Sequence, residues 1–174
     1  SLKEGIQRGL SEGPDMVVSG RPVTITGGHM WFCGSEADGV DGVRTEVRKL
    51  VKEGADFIKI MATGGSTWTS DPLKPSYTVE EMTVIVDEAH RFGRLTAAHC
   101  ASAQGIKNAL DAEVDMIIHC VFEDETGMYE FREDLAEQLA AAKAWVNPTL
   151  HVVQAGIDHT ERIGRERGWL TKEE

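Results

Sequence analysis

The sequence predicts an α/β protein with a parallel sheet, closed in the manner of a TIM-like barrel and carried on a single domain over residues 1–174. Two observations predict it. Short β-rich runs alternate with amphipathic helical stretches at close spacing, the pattern of βαβ units. Ionisable residues collect where those runs end, at Lys59, His99 and His119. An open doubly wound sheet also places ligands at strand ends. Three such groups from three successive strands suit a closed barrel better.

Taken in order, Val23-Thr24-Ile25-Thr26 is short, β-rich and closed by Gly27-Gly28, so it reads as a strand. Asp41 is placed to cap a helix with Val43, Val47, Leu50 and Val51 on one face and Gly54 as its stop. Phe57-Ile58-Lys59-Ile60-Met61 is the next strand. Thr78-Val79-Glu80-Glu81 matches a capping box, in which the Thr hydroxyl and the Glu carboxylate satisfy the first free amides. Val79, Met82, Val86 and Ala89 form its buried stripe and Gly93 ends it. Leu95–His99 is a third strand, Ser102–Leu110 a short helix, and Met116–His119 a fourth strand. Phe131, Leu135 and Leu139 mark another helix. Trp145-Val146-Asn147 is a fifth strand, stopped by Pro148, and the charged tail from His151 to Glu174 is partly helical. Right-handed crossovers place the helices outside the sheet.

Composition narrows the function. A hydrophobic content of 41% and a charged content of 27% describe an ordinary globular chain. The net charge of -11 argues against binding nucleic acid through phosphate contacts. No apolar run approaches the roughly 20 residues of a membrane span, and a cytoplasmic location is the expectation. The acidic stretch Glu123–Glu137 reads as a solvated helix face. Cys33, Cys100 and Cys120 form neither a disulfide framework nor a C-x-x-C pair. No G-x-G-x-x-G or G-x-x-x-x-G-K-[ST] run supports a nucleotide.

Strand alternation puts Phe57, Lys59 and Met61 on one face, Leu95, Ala97 and His99 on one face, and Ile117 with His119. Each strand thus sends one ionisable group to one side, with Cys100 and Cys120 turned toward the helices. A lysine inside an apolar strand is neutral, paired or modified, because a buried unpaired ammonium is costly. A neutral lysine can form a Schiff base with a carbonyl substrate. It can also take up carbon dioxide and bridge metal ions as a carbamate. His99 and His119 favour the second chemistry, since neutral imidazole is the commonest metal ligand among side chains. His29, after Gly27-Gly28, is a loop histidine or a substrate contact. Gly64-Gly65 reads as a plain turn. Trp68 and Tyr77 line a pocket or shield it. His90, His151 and His159 face solvent.

Ser19-Gly20-Arg21-Pro22 followed by Ile25-Thr26-Gly27-Gly28-His29 resembles the third-strand region of the amidohydrolase superfamily, in its imidazolonepropionase-like and Xaa-Pro dipeptidase (prolidase)-like branch. Gly54-Ala55-Asp56-Phe57-Ile58-Lys59-Ile60 resembles its fourth strand, with the carboxylated lysine. Thr96-Ala97-Ala98-His99 resembles the fifth, Asp115–His119 the sixth, and Asn147-Pro148-Thr149-Leu150 the end of the seventh. The resemblance implies the central portion of a (β/α)8 barrel of the metal-dependent hydrolase type, with two zinc ions. Lys59 would bridge the ions as a carbamate, and His99 and His119 would bind one of them. A metal-bridging hydroxide would attack the amide carbonyl of a dipeptide or N-acyl amino acid, and His29 would contact the substrate. The family's first-strand His-x-His, its eighth-strand Asp and its β-sandwich have no counterpart here. Ala101 stands where some dipeptidases carry a tyrosine. The expectation is therefore a partial barrel of strands three to seven, inactive alone, with two open edges that favour homo-oligomers. The alternatives are a Schiff-base lyase or aldolase using Lys59, and a non-catalytic metal-binding module.

Overall fold

In the computed structural model, which describes residues 1–167, strands and helices alternate from residue 57 onward. After the short helix α1 (Leu2–Gln7) and a 3₁₀ turn (Trp31–Cys33) come α2 (Gly39–Lys52), β1 (Phe57–Met61), α3 (Val79–Arg91) and β2 (Leu95–Cys100). Then follow α4 (Ala103–Asp111), β3 (Met116–His119), α5 (Glu133–Ala142), β4 (Trp145–Asn147) and α6 (Leu150–Glu166). The sheet order is β1-β2-β3-β4, and every pair is parallel.

Sequential order decides between the two architectures. A doubly wound sheet reverses its strand order and carries helices on both faces. Here each right-handed crossover steps the same way, so the crossover helices stack on one face, as in a barrel wall. That face holds the core. Ile58, Ile60, Ala98, Cys100 and Ile117 are buried against Val47, Leu50, Met82, Ile85, Ile106 and Leu139. The opposite face, with Phe57, Ala97, Met116 and Ile118, lines an apolar cavity of about 510 Å³.

The helix starts follow from local chemistry. Thr78 caps α3 with both bonds of a capping box, its hydroxyl accepting from Glu81 N and its own amide donating to Glu81. α2 begins at Gly39, ahead of Asp41. Asp38 holds the N-cap position without capping, because its carboxylate accepts the Thr26 amide. The Glu81 carboxylate accepts the Gly39 amide at the start of the same helix.

Several expectations need adjustment. Residues 23–26 form no full strand: Val23 makes an isolated parallel bridge to Ile60 of β1, and Thr24 makes one to Glu36. The acidic stretch 123–137 is half loop, with a Glu123–Tyr129 bridge, and becomes helix only at Glu133. Phe131 lies outside α5, edge-on to Phe122. Tyr77 is buried in the core, and its hydroxyl donates to the Ala37 carbonyl at 2.9 Å. Trp68 is 87% exposed, its ring standing out in solvent. His90 is exposed but bonded to Asp115 at 2.8 Å. The tail is helical through Glu166, and its last residues, 168–174, lie outside the described ones.

Candidate metal centre

The register places the site. Lys59 pairs with Ala97, Met61 with His99, and His99 with Ile118, so Lys59 and His99 share the face turned away from the helices. Ile117, however, pairs with Ala98 and lies in the core. Plain alternation would send His119 the other way, beside its register partner Cys100 and into the helix layer. The expected grouping of Ile117 with His119 therefore fails. The backbone corrects the aim: His119 has φ 69° and Cys120 φ 55°, both left-handed. This is an uncommon conformation for residues other than glycine. It ends the strand and swings the imidazole to the face of His99.

The three histidines come together. The rings of His29 and His99 are 4.6 Å apart between centroids, and those of His99 and His119 also 4.6 Å, the second pair edge-on. Lys59 lies within electrostatic range of all three. Each ring has a polar partner that occupies one nitrogen. His99 Nε2 lies 3.0 Å from the Gly64 carbonyl, which can only accept, so this nitrogen carries the proton and Nδ1 is bare. His29 Nδ1 is 2.8 Å from the Thr67 hydroxyl, which also accepts the Met30 amide. His119 Nδ1 is 2.6 Å from the Thr149 hydroxyl.

All four groups are pushed toward neutrality. Burial pulls the Lys59 ammonium down to about 8, with a small opposing effect from Cys100. Burial lowers His99 to about 3, helped by His119, His29 and Lys59 and opposed by the bond to Gly64. His29 is lowered by burial and then by Lys59. His119 is lowered by burial, then by Lys59 and His29. Among the described residues, no carboxylate figures among the main groups that shift any of the four. The three imidazoles are thus held as free bases, which is the state a metal needs of its nitrogen ligands, while Lys59 keeps its proton at pH 7 and loses it only as pH rises through about 8.

Among the described residues, no three His, Cys, Asp or Glu side chains form a metal-ligating cluster by themselves. The donor set nonetheless fits a cation. His99 and His119 each have one nitrogen tied to a polar partner, as ligating histidines almost always do. The missing element is an anionic oxygen, and a carbamate on Lys59 would supply it.

The loop after β1 contributes what the sequence did not advertise. Gly64-Gly65 is more than a turn, since its carbonyl, not an amide, holds His99. A Cβ on Gly65 would stand 2.6 Å from His29 Cδ2 and Nε2. Thr63, fully buried, donates to the Gly64 carbonyl and accepts the Ala101 amide, tying that carbonyl to the end of β2. Nothing in the run Gly-Gly-Ser-Thr marks Thr67 out. Thr149 was visible only as part of the Asn-Pro-Thr ending.

The profile described as "Amidohydrolase family" matches residues 3–163. The ochratoxinase of Aspergillus niger is 32% identical over 150 residues, an alignment covering 71% of this chain and 31% of that protein. Its crystal structure superposes with a TM-score of 0.78 at 26% identity, covering 90% of this chain and 40% of that one. A Xaa-Pro dipeptidase with bound methionine in the active site gives a TM-score of 0.75 at 28% identity, covering 86% and 39%. A prolidase complexed with N-methylphosphonate-L-proline gives 0.75 at 30%, covering the same shares. The chain thus spans about a third of the curated relatives it matches and about two fifths of these structures.

Proposed function

The chain belongs to the amidohydrolase family, and on that premise we propose that Lys59, His99 and His119 are the metal-binding core of an amide hydrolase. The observation that carries the reading is the all-base composition of the cluster. A buried lysine beside three imidazoles pushed toward neutrality, with no carboxylate of the described residues among the main groups acting on them, gains most by becoming an anion itself. With an amine lowered to about 8 from 10.5, the free-base fraction near neutral pH is only about a tenth, but that is far more than an ordinary lysine offers for taking up carbon dioxide. The carbamate then supplies the oxygens that zinc requires alongside imidazole nitrogen.

The residues divide the work. Lys59, as its carbamate, would hold two zinc ions together, and His99 Nδ1 and His119 Nε2 are the nitrogens left open to ligate one of them. Bound zinc would polarise the scissile carbonyl and activate a water. His29, with Nδ1 facing Thr67, directs Nε2 along the Gly65 backbone toward the site, where it would contact the substrate carbonyl or its developing oxyanion. A cleft of about 510 Å³ between the loops after β1 and β3 opens at the same end of the sheet, with Asp71, Lys74, Asp124, Glu125 and Arg132 in its lining. The substrates proposed are dipeptides, prolyl ones included, and N-acyl amino acids. No helix of the described residues is long and apolar enough to cross a membrane. A cytoplasmic homo-oligomer remains part of the proposal, with the exposed β4 edge at Trp145 and Val146 available for pairing. The family membership leaves the Schiff-base and non-catalytic alternatives without an observation in their favour.

The test is ¹³C spectroscopy of the chain loaded with zinc and ¹³C-bicarbonate. A carbamate resonance that disappears in Lys59→Ala is expected. A Lys59 that stays an unmodified amine under those conditions would overturn the reading.

A further inference from the structure

We propose that Thr149 is a positioning residue for His119, holding its ring so that Nε2 and not Nδ1 faces the metal centre. The inference rests on the metal-site reading for the purpose of the arrangement, and on geometry for the arrangement itself.

Thr149 occupies the N-cap position of α6, where a threonine hydroxyl ordinarily accepts an amide of the first helical turn. It makes no such bond. The hydroxyl turns instead to His119 Nδ1 at 2.6 Å, across 30 residues of chain. The helix start gives up its cap for this contact, although the first-turn amides are otherwise short of partners.

The backbone points the same way. Thr149 has φ 48° and ψ 37°, left-handed, which for a β-branched residue is a genuine outlier. His119, its partner, is left-handed too. Neither conformation is paid back by a helix cap or a glycine. Both flank the contact between the hydroxyl and the ring edge, and such outliers gather where function over-determines the geometry.

The consequence is a choice of nitrogen. With the hydroxyl 2.6 Å from Nδ1, no ion can sit on that nitrogen. The nitrogen left for ligation is Nε2, and a ligating nitrogen must be bare. The proton therefore belongs on Nδ1, donated to the threonine oxygen. Each ligand is then fixed by a different device: His99 by a carbonyl on its Nε2, His119 by a hydroxyl on its Nδ1. The two imidazoles present opposite nitrogens.

The experiment is a ¹⁵N-histidine correlation spectrum of the metal-free chain, with zinc titration alongside, for wild type, Thr149→Val and Thr149→Ser. Valine keeps the β-branched shape and the same backbone preference while removing the hydroxyl, and thermal unfolding checks that it folds. The expected result is an Nδ1–H tautomer at His119 in wild type, a fall of that tautomer in the valine variant, and its return with serine. Zinc affinity should drop about 10- to 100-fold in the valine variant, the usual cost of losing such a partner. An Nε2–H tautomer in wild type, or a tautomer unmoved by Thr149→Val, overturns the proposal. If wild type binds no zinc while the tautomers behave as expected, the metal-site reading fails and the positioning stands.

Discussion

Replacing Gly65 with alanine tests how tightly the loop after β1 is fitted to the site. The added Cβ would lie 2.6 Å from two atoms of the His29 ring, where ordinary contact begins near 3.4 Å, so about 0.8 Å must be found (3.4 less 2.6). His29 has little room to yield. It is 8% exposed, bonded to Thr67, and tilted against the His99 ring at 4.6 Å. Overpacking of this kind costs about 1–3 kcal/mol. Taking about 2 kcal/mol, a chain of this length loses roughly 4–8 °C in Tm. Urea and thermal unfolding would measure it, with the His29 ring resonances as a local report. Gly42→Ala is the control. Gly42 lies inside α2, and its Cβ would meet nothing closer than 3.9 Å, so alanine there should stabilise by about 0.5–1 kcal/mol. A Gly65→Ala protein within about 0.5 kcal/mol of wild type, with His29 unmoved, would refute the fit.

Two further outcomes follow from charge. Lys59→Met should stabilise the metal-free chain at pH 7, because a folded pKa pulled down to about 8 means the buried ammonium is disfavoured. The gain should be full below about pH 8 and vanish above about 10.5, where the lysine is neutral folded and unfolded alike; pH-dependent urea melts would show it, and a loss of stability at pH 7 would contradict it. At the other end of the sheet, burial opposes ionisation of Asp115, but bonds from His90 and from the Thr96 side chain and amide outweigh it and lower its pKa. Its contribution is therefore present above the ordinary carboxylate pKa of about 3.9 and lost as pH falls through the folded value. Asp115→Asn should flatten the acid limb of the stability profile, and identical limbs for variant and wild type would count against the account.

Much of this fold is written at the level of single residues. The Thr78–Glu81 capping box, the Ile58 and Ile60 strand face, and the Val43, Val47, Leu50 stripe each specify their element locally, and each forms as expected. The site was legible as far as residue type and strand position reach, which brings out Lys59, His99 and His119. His119 shows the limit. Alternation aimed it correctly only by starting from the wrong face for Ile117, and the left-handed turn that restores the aim has no sequence signature, since neither His119 nor Cys120 is a glycine. Thr67 and Thr149 were out of reach for a related reason. Their partners lie 38 and 30 residues away, and a hydroxyl in a loop carries no period that would announce a long-range bond. The early start of α2 depended on Asp38 choosing the Thr26 amide over its own helix, which is again a tertiary preference.

The most direct test of the central claim is the zinc content of the chain prepared with zinc and bicarbonate, measured for wild type, Lys59→Ala, His99→Ala and His119→Ala, each confirmed folded. Bound zinc in wild type that is lost in all three variants is the predicted result. A folded wild type with no affinity for zinc, or zinc retained in full when these residues are removed, would contradict the assignment of the centre to them.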